Sequence, residues 1–195
     1  MLTSCVKLFF VDDSKPYHHG KLRETLLHAA LELIREQGLP SLTLRELARR
    51  ASVSHTAPYR HFKDKEQLLA ALAASASKRL SDRISYYSLK GYSPTECFEL
   101  GALAYLRFAF ERPAEFQLIF SLDLAENPAK EVLESLATAC KFPKQNPALI
   151  SLAVWALIHG TAELARTAKL GINSRKETLE FAASSLRTLL AGFSI

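Results

Sequence analysis

Cysteine is scarce in this chain: Cys5, Cys97 and Cys140 are the only three among 195 residues. An odd number at distant positions excludes a disulfide framework and offers no metal-ligand spacing, so they read as ordinary reduced thiols. His18-His19 adds nothing to that, because adjacent side chains on a helix point apart and no carboxylate or cysteine spacing supports them. A solvated helix start is expected there. Glycine and proline number 7 and 8, too few for a disordered or collagen-like chain. No apolar run reads as approaching the roughly 20 residues that span a bilayer. The opening MLTSCVKLFFV is cut off by Asp12 and Asp13 and lacks a basic n-region and a small-residue cleavage site. No signal peptide is read, and a cytoplasmic location is expected. Also missing are a Gly-rich phosphate loop, a Ser/His/Asp arrangement and paired carboxylates on one helix face. The chain is therefore expected not to be an enzyme, and to need neither cofactor, metal nor membrane.

What is present begins with charge. The net value is +5, and it is unevenly placed. Residues 1–80 hold 13 Lys and Arg against 8 Asp and Glu, whereas residues 81–195 hold 12 of each. Five of the six His also fall in the first stretch. A basic unit fused to a neutral one is the pattern of a polyanion-binding module joined to a second module.

Every strong periodicity is helical, and no alternating strand pattern or internal repeat is found. Leu22, Leu26, Ala30, Leu33 and Ile34 form a 3.6-residue stripe closed by Gly38. Thr43 and Glu46 read as a reciprocal capping box opening a second helix, with Leu44, Leu47, Ala48 and Ala51 on its inner face. After a break at Ser52-Val53-Ser54, a short third helix is expected from His55 to His61. Asp64 and Gln67 open a long fourth helix striped by Leu68, Leu72, Ala76, Leu80 and Ile84. Further helices are expected to carry Phe98 to Phe110 and Phe116 to Phe120. Two more start at Asn127-Pro128 (ending before Phe142-Pro143) and at Pro147, running to about Lys169. The last spans about 174–190. The fold class is all-α: an N-terminal three-helix domain over residues 17–77, a C-terminal helical bundle over 78–195, and an extension over 1–16.

Two short helices joined by a three-residue turn make a helix-turn-helix over about residues 42–61. Such a unit lays its second helix in the major groove of duplex DNA. Here that helix reads His55-Thr56-Ala57-Pro58-Tyr59-Arg60-His61-Phe62. Val53, Phe62 and in part Tyr59 have the size to anchor it, leaving His55, Thr56 and Arg60 to face outward. Pro58 in a helix interior would remove one hydrogen bond and cost about 3 kcal/mol. With Ser54 as N-cap it falls in the first turn, and the helix survives.

These residues resemble the tetracycline-repressor (TetR) family. The likeness runs from about Tyr17 to Ser77. It includes Thr43-Leu44-Arg45-Glu46-Leu47-Ala48, Val53-Ser54 and the string from Tyr59-Arg60-His61-Phe62 to Leu68. The resemblance implies a homodimeric regulator of double-stranded, palindromic operator DNA, most often a repressor released by a small-molecule inducer. It implies that Thr43, Tyr59, His61 and Lys65 contact phosphates and that Arg45 reaches the groove or the backbone. His55, Thr56 and Ala57 would face the bases, with Arg60 among the DNA-binding residues on the outward side. Arg49, Arg50 and Lys63 are expected to be solvated. Trp155-Ala156-Leu157-Ile158-His159-Gly160 resembles the C-terminal domain type named for Trp, His and Gly. Phe98, Tyr105, Phe110, Phe116, Phe120, Trp155 and His159 are the candidates to line an inducer pocket. The last two helices, apolar on more than one face, are expected to pack on a second copy.

Overall fold

The computed structural model describes residues 22–121, 128–140 and 146–193. The extension 1–16, Tyr17, His18-His19, Cys5, Asn127, Phe142 and Pro143 lie outside the described residues. Within them the chain is all-α: α1 (Leu22–Gln37), α2 (Leu44–Arg50), α3 (Lys65–Ser85), α4 (Pro94–Glu111), α5 (Pro113–Ser121), α6 (Pro128–Ala139), α7 (Pro147–Arg166) and α8 (Arg175–Phe193).

The stripes fold as their period requires. Leu22, Leu26, Ala30, Leu33 and Ile34 are all buried on α1. Gly38 stops that helix in the left-handed region at φ 82°, where its N–H still reaches the Ile34 carbonyl at 2.9 Å. α2 starts on Thr43, whose hydroxyl accepts from the Glu46 N–H at 3.1 Å. The reciprocal half of the expected capping box is not made. The Glu46 carboxylate is taken by Arg49 instead, at 2.6 and 2.9 Å. A complete box occurs at Ser93 and Glu96, at the head of α4.

Two hydrophobic cores result. The first gathers α1, α2, Phe62 and the start of α3, through Leu68, Leu69 and Leu72. The second takes over along the same helix at Ala76, Leu80 and Ile84 and continues through α4, α6, α7 and α8. α3 thus runs as one rigid rod from one core into the other. α5 straddles them differently: Leu118 packs in the first core, while Phe116 and Ile119 pack in the second.

α7 corrects the expectation that no apolar run is long enough for a bilayer. By length and composition Pro147–Arg166 reaches that mark, with mean hydropathy 1.5. Its inner face, with Ile150, Val154, Ile158 and Ala162, is core, while Leu149 and Leu152 stand 54% and 45% exposed. The helix ends at Arg166 rather than near Lys169, with Ala168 turning at φ 55°. α8 opens at Arg175 behind the Ser174 hydroxyl and runs on to Phe193.

Candidate nucleic-acid interface and the cavity behind it

α2 ends at Arg50, and the chain turns through Ser52, at φ 54°, into the reading segment. That segment is not the α-helix expected over 55–61. Residues 55–57 are a turn, followed by a single 3-10 turn at Pro58–Arg60. Pro58 supplies the reason. It has no N–H to give the Ser54 carbonyl, which accepts from the Ala57 N–H at 3.0 Å instead. The anchor also differs. Pro58 and Phe62 are buried, whereas Tyr59 is 52% exposed. Tyr59 is thus an outward-facing residue rather than a partial anchor.

The assembled face presents Thr43, Arg45, His55, Thr56, Tyr59 and Arg60, all exposed, with Ala57, His61 and Lys65 partly buried beside them. Thr56 is within 3.3 Å of the Ser54 hydroxyl, and the Lys65 ammonium donates to the Leu39 carbonyl at 3.4 Å. Arg45, Arg60, Lys63 and Lys65 make no ion pair with the described residues. Arg49 and Arg50 are different: Arg49 is held by Glu46, and Arg50 by Glu36 and Glu32. Their carboxylate partners raise both guanidiniums further and pull Glu46 and Glu36 below the usual carboxylate range. The cations are thereby sorted: Arg45, Arg60 and Lys65 stand without a carboxylate on the face that the turn presents, and Arg49 and Arg50 are neutralised behind it.

One residue that sequence reasoning missed joins this unit to the rest. Glu115 of α5 is fully buried, yet three guanidiniums reach it. Arg35 of α1 lies at 2.7 Å, Arg79 of α3 at 2.7 Å, and Arg112 at 2.9 Å. Burial alone would raise its carboxyl. The bonds from Arg112 and Arg79, with their charges, hold it below the ordinary 4.5. Only Arg112, three residues away, gave any local signal.

Behind α1 lies a cavity of about 980 Å³, bounded by Ile34, Arg35, Gly38 and Leu39 on one side and by α5 and α7 on the other. Of the seven aromatic candidates, five come together: Tyr105, Phe116, Phe120 and Trp155 surround His159. Trp155 stacks on it at 5.2 Å and Phe120 sits at 4.6 Å. The Tyr105 hydroxyl bonds His159 Nδ1 at 2.8 Å. Only Phe120 and His159 of this group border the large cavity. Phe98 is plain core, and Phe110 borders a separate cavity of about 250 Å³ with Phe116. Among the described residues no group of three His, Cys, Asp or Glu is placed to hold a metal.

Two family models match this chain. Bacterial regulatory proteins of the tetR family match residues 26–72, and a tetracyclin repressor-like C-terminal domain matches residues 98–193. The tetracycline repressor protein class C of Escherichia coli is 49% identical over 51 residues, 26% of this chain and 23% of that protein. The chain thus spans about a quarter of that curated relative's length. Over most of its length it is similar to a solved protein of unknown function from Rhodococcus sp. RHA1. That match has 30% identity and a TM-score of 0.74, covering 88% of this chain and 96% of the other. A variant of TetR from Acinetobacter baumannii AYE in complex with minocycline has the same fold. There the identity is 24% and the TM-score 0.63, with 87% and 94% covered. The chain belongs to the TetR family and is a DNA-binding transcriptional regulator.

Proposed function

We propose that the chain is a homodimeric, cytoplasmic repressor that leaves a palindromic operator when a small molecule enters the cavity behind α1. The observation that carries this reading is the placement of Arg35. It borders the cavity and at the same time bonds Glu115, so one residue of the reading domain touches both the site and the helix that straddles the two cores. A ligand that shifts α1 against α5 changes the attitude of the reading unit, which is population shift between two arrangements of the dimer.

On DNA, His55, Thr56, Ala57 and Arg60 face base edges, with the methyls of Thr56 and Ala57 suited to thymine. Thr43, Tyr59, His61 and Lys65 hold phosphates, and Arg45 reaches the groove or the backbone. Dimerisation is supported by the outward face of α7. There Leu149, Leu152 and Ala156 are exposed, and a Cβ added at Gly160 would meet nothing within 4 Å. A helix-interior glycine that the monomer does not need, at a cost of about 1 kcal/mol against Ala, suits close approach by a second copy. The stack of Trp155 on His159, next to Gly160, supports assignment to the Trp-His-Gly type of C-terminal domain.

Selection of bound duplexes from a random pool tests the reading. The expected winner has two inverted half-sites about one turn of DNA apart, roughly 34 Å. A single asymmetric site, or no enriched sequence, overturns it. Sedimentation velocity should show a dimer at micromolar concentration, and Leu152→Glu should give a monomer.

A further inference from the structure

We infer that the cavity behind α1 takes an uncharged, mostly apolar molecule carrying a hydrogen-bond acceptor, which the Nε2–H of His159 meets. This rests on the reading above that a small molecule enters this cavity, and it names the class.

The charge balance of the lining comes first. Four charged side chains border the cavity, and each is already committed: Arg35 to Glu115 at 2.7 Å, Glu111 to Arg83 at 2.8 Å, and Glu163 to Arg166 at 2.7 Å. A cationic ligand would have to open the Glu111 or Glu163 pair, whereas Arg35 shares Glu115 with Arg79 and Arg112 and keeps guanidinium N–H groups at the cavity's edge. An uncharged one breaks none. Ile34, Leu39, Pro113, Ala114 and Phe120 supply apolar walls, and Gln117 adds an exposed amide.

The second step fixes the polarity of His159. The Tyr105 side chain is fully buried, and its hydroxyl lies 2.8 Å from His159 Nδ1. Among the described residues no other acceptor is placed for that phenolic proton, and the neighbouring Trp155 indole N–H is a donor only. A buried O–H without an acceptor costs about 1–3 kcal/mol, so Tyr105 donates and Nδ1 accepts. Burial pushes the imidazole below its ordinary pKa, against the opposing charge of Glu163, and the neutral ring then carries its own proton on Nε2. No described residue accepts from Nε2, and the ring borders the cavity. The site therefore offers an oriented neutral donor in a largely apolar wall. A carbonyl-type acceptor on an apolar frame is its complement.

The chain carries its own reporter. Trp155 is its single tryptophan, stacked on His159 at 5.2 Å. The full chain, without DNA, is titrated with three bicyclic probes while Trp155 emission is followed, corrected for probe absorption. Coumarin is uncharged and has a carbonyl acceptor, naphthalene has no acceptor, and coumarin-3-carboxylate is anionic at pH 8. Coumarin is expected to quench saturably and to bind about tenfold tighter than either other probe, the scale of one donor left unpaired. His159→Phe keeps a ring and removes the donor, and should bring coumarin and naphthalene within about twofold of each other. Ala114→Phe fills part of the α5 wall, leaves the His159 donor in place and should abolish binding of both. The inference is overturned if coumarin does not bind, if naphthalene or the carboxylate binds as well, or if His159→Phe keeps the preference. Because no DNA is present, such a failure leaves the regulator reading intact. Failure of duplex selection removes that reading whatever the probes do.

Discussion

The reading face and the cavity behind it treat charge in opposite ways. On the face, Arg45, Arg60 and Lys65 stand without a carboxylate among the described residues, and local hydrogen bonds hold the backbone that presents them. Around the cavity, Arg35, Glu111, Glu163 and Arg166 are all paired. An uncompensated cationic surface is matched by a polyanion and gains from counterion release. A largely apolar one with a neutral donor is matched by a mostly apolar molecule carrying an acceptor. The contrast is the reason for the DNA and small-molecule readings proposed above for the two regions. Glu115 links them, since its three arginines come from α1, from α3 and from the head of α5.

The strongest way to break that link is Glu115→Gln. It leaves three guanidiniums around a neutral amide, and breaking a buried pair in this way costs about 3 kcal/mol, toward the low end because the arginines are partly solvated. Urea denaturation checks it, and a loss under 1 kcal/mol would mean that the node is not structural. The same residue sets a pH dependence. Its folded carboxyl lies below the unfolded value near 4.5, so its contribution is complete above that value and is lost as pH falls through the lower folded one. The Gln variant should lack this acid loss. Next in size, Thr56→Ala should cost about 1–2 kcal/mol in binding to the selected duplex, with much less change on a scrambled one. Equal losses on both would move Thr56 from the bases to the backbone. Thr43→Ala removes the α2 cap and should cost about 1 kcal/mol in stability, read from thermal unfolding. Smallest of all, Arg49→Ala should leave operator affinity within about twofold, because its guanidinium is already occupied by Glu46.

Local chemistry was legible in the residues and distant chemistry was not. The stripes of α1 and α3 and the caps at Thr43 and Asp64 depend on neighbours three or four positions away, and each is where the spacing put it. The reading segment departs from the α-helix that a cap at Ser54 predicts, because Pro58 has no N–H to give the Ser54 carbonyl. Glu115 gave no warning, since Arg35 and Arg79 lie 80 and 36 residues away. The aromatics failed for a related reason. Phe98 and Phe120 carry the same helical spacing signal, and only tertiary packing sends one into core and the other to a cavity wall. His159 and Tyr105, 54 residues apart, meet by the same packing.

If the unpaired face reads DNA sequence, a selected duplex must outcompete a scrambled one. Titrating the intact chain against the selected duplex and its scrambled counterpart at one physiological salt concentration tests it most directly. A preference of at least about a thousandfold for the selected duplex is expected, together with a steep fall of both affinities as salt rises. Equal affinity for the two duplexes would contradict it.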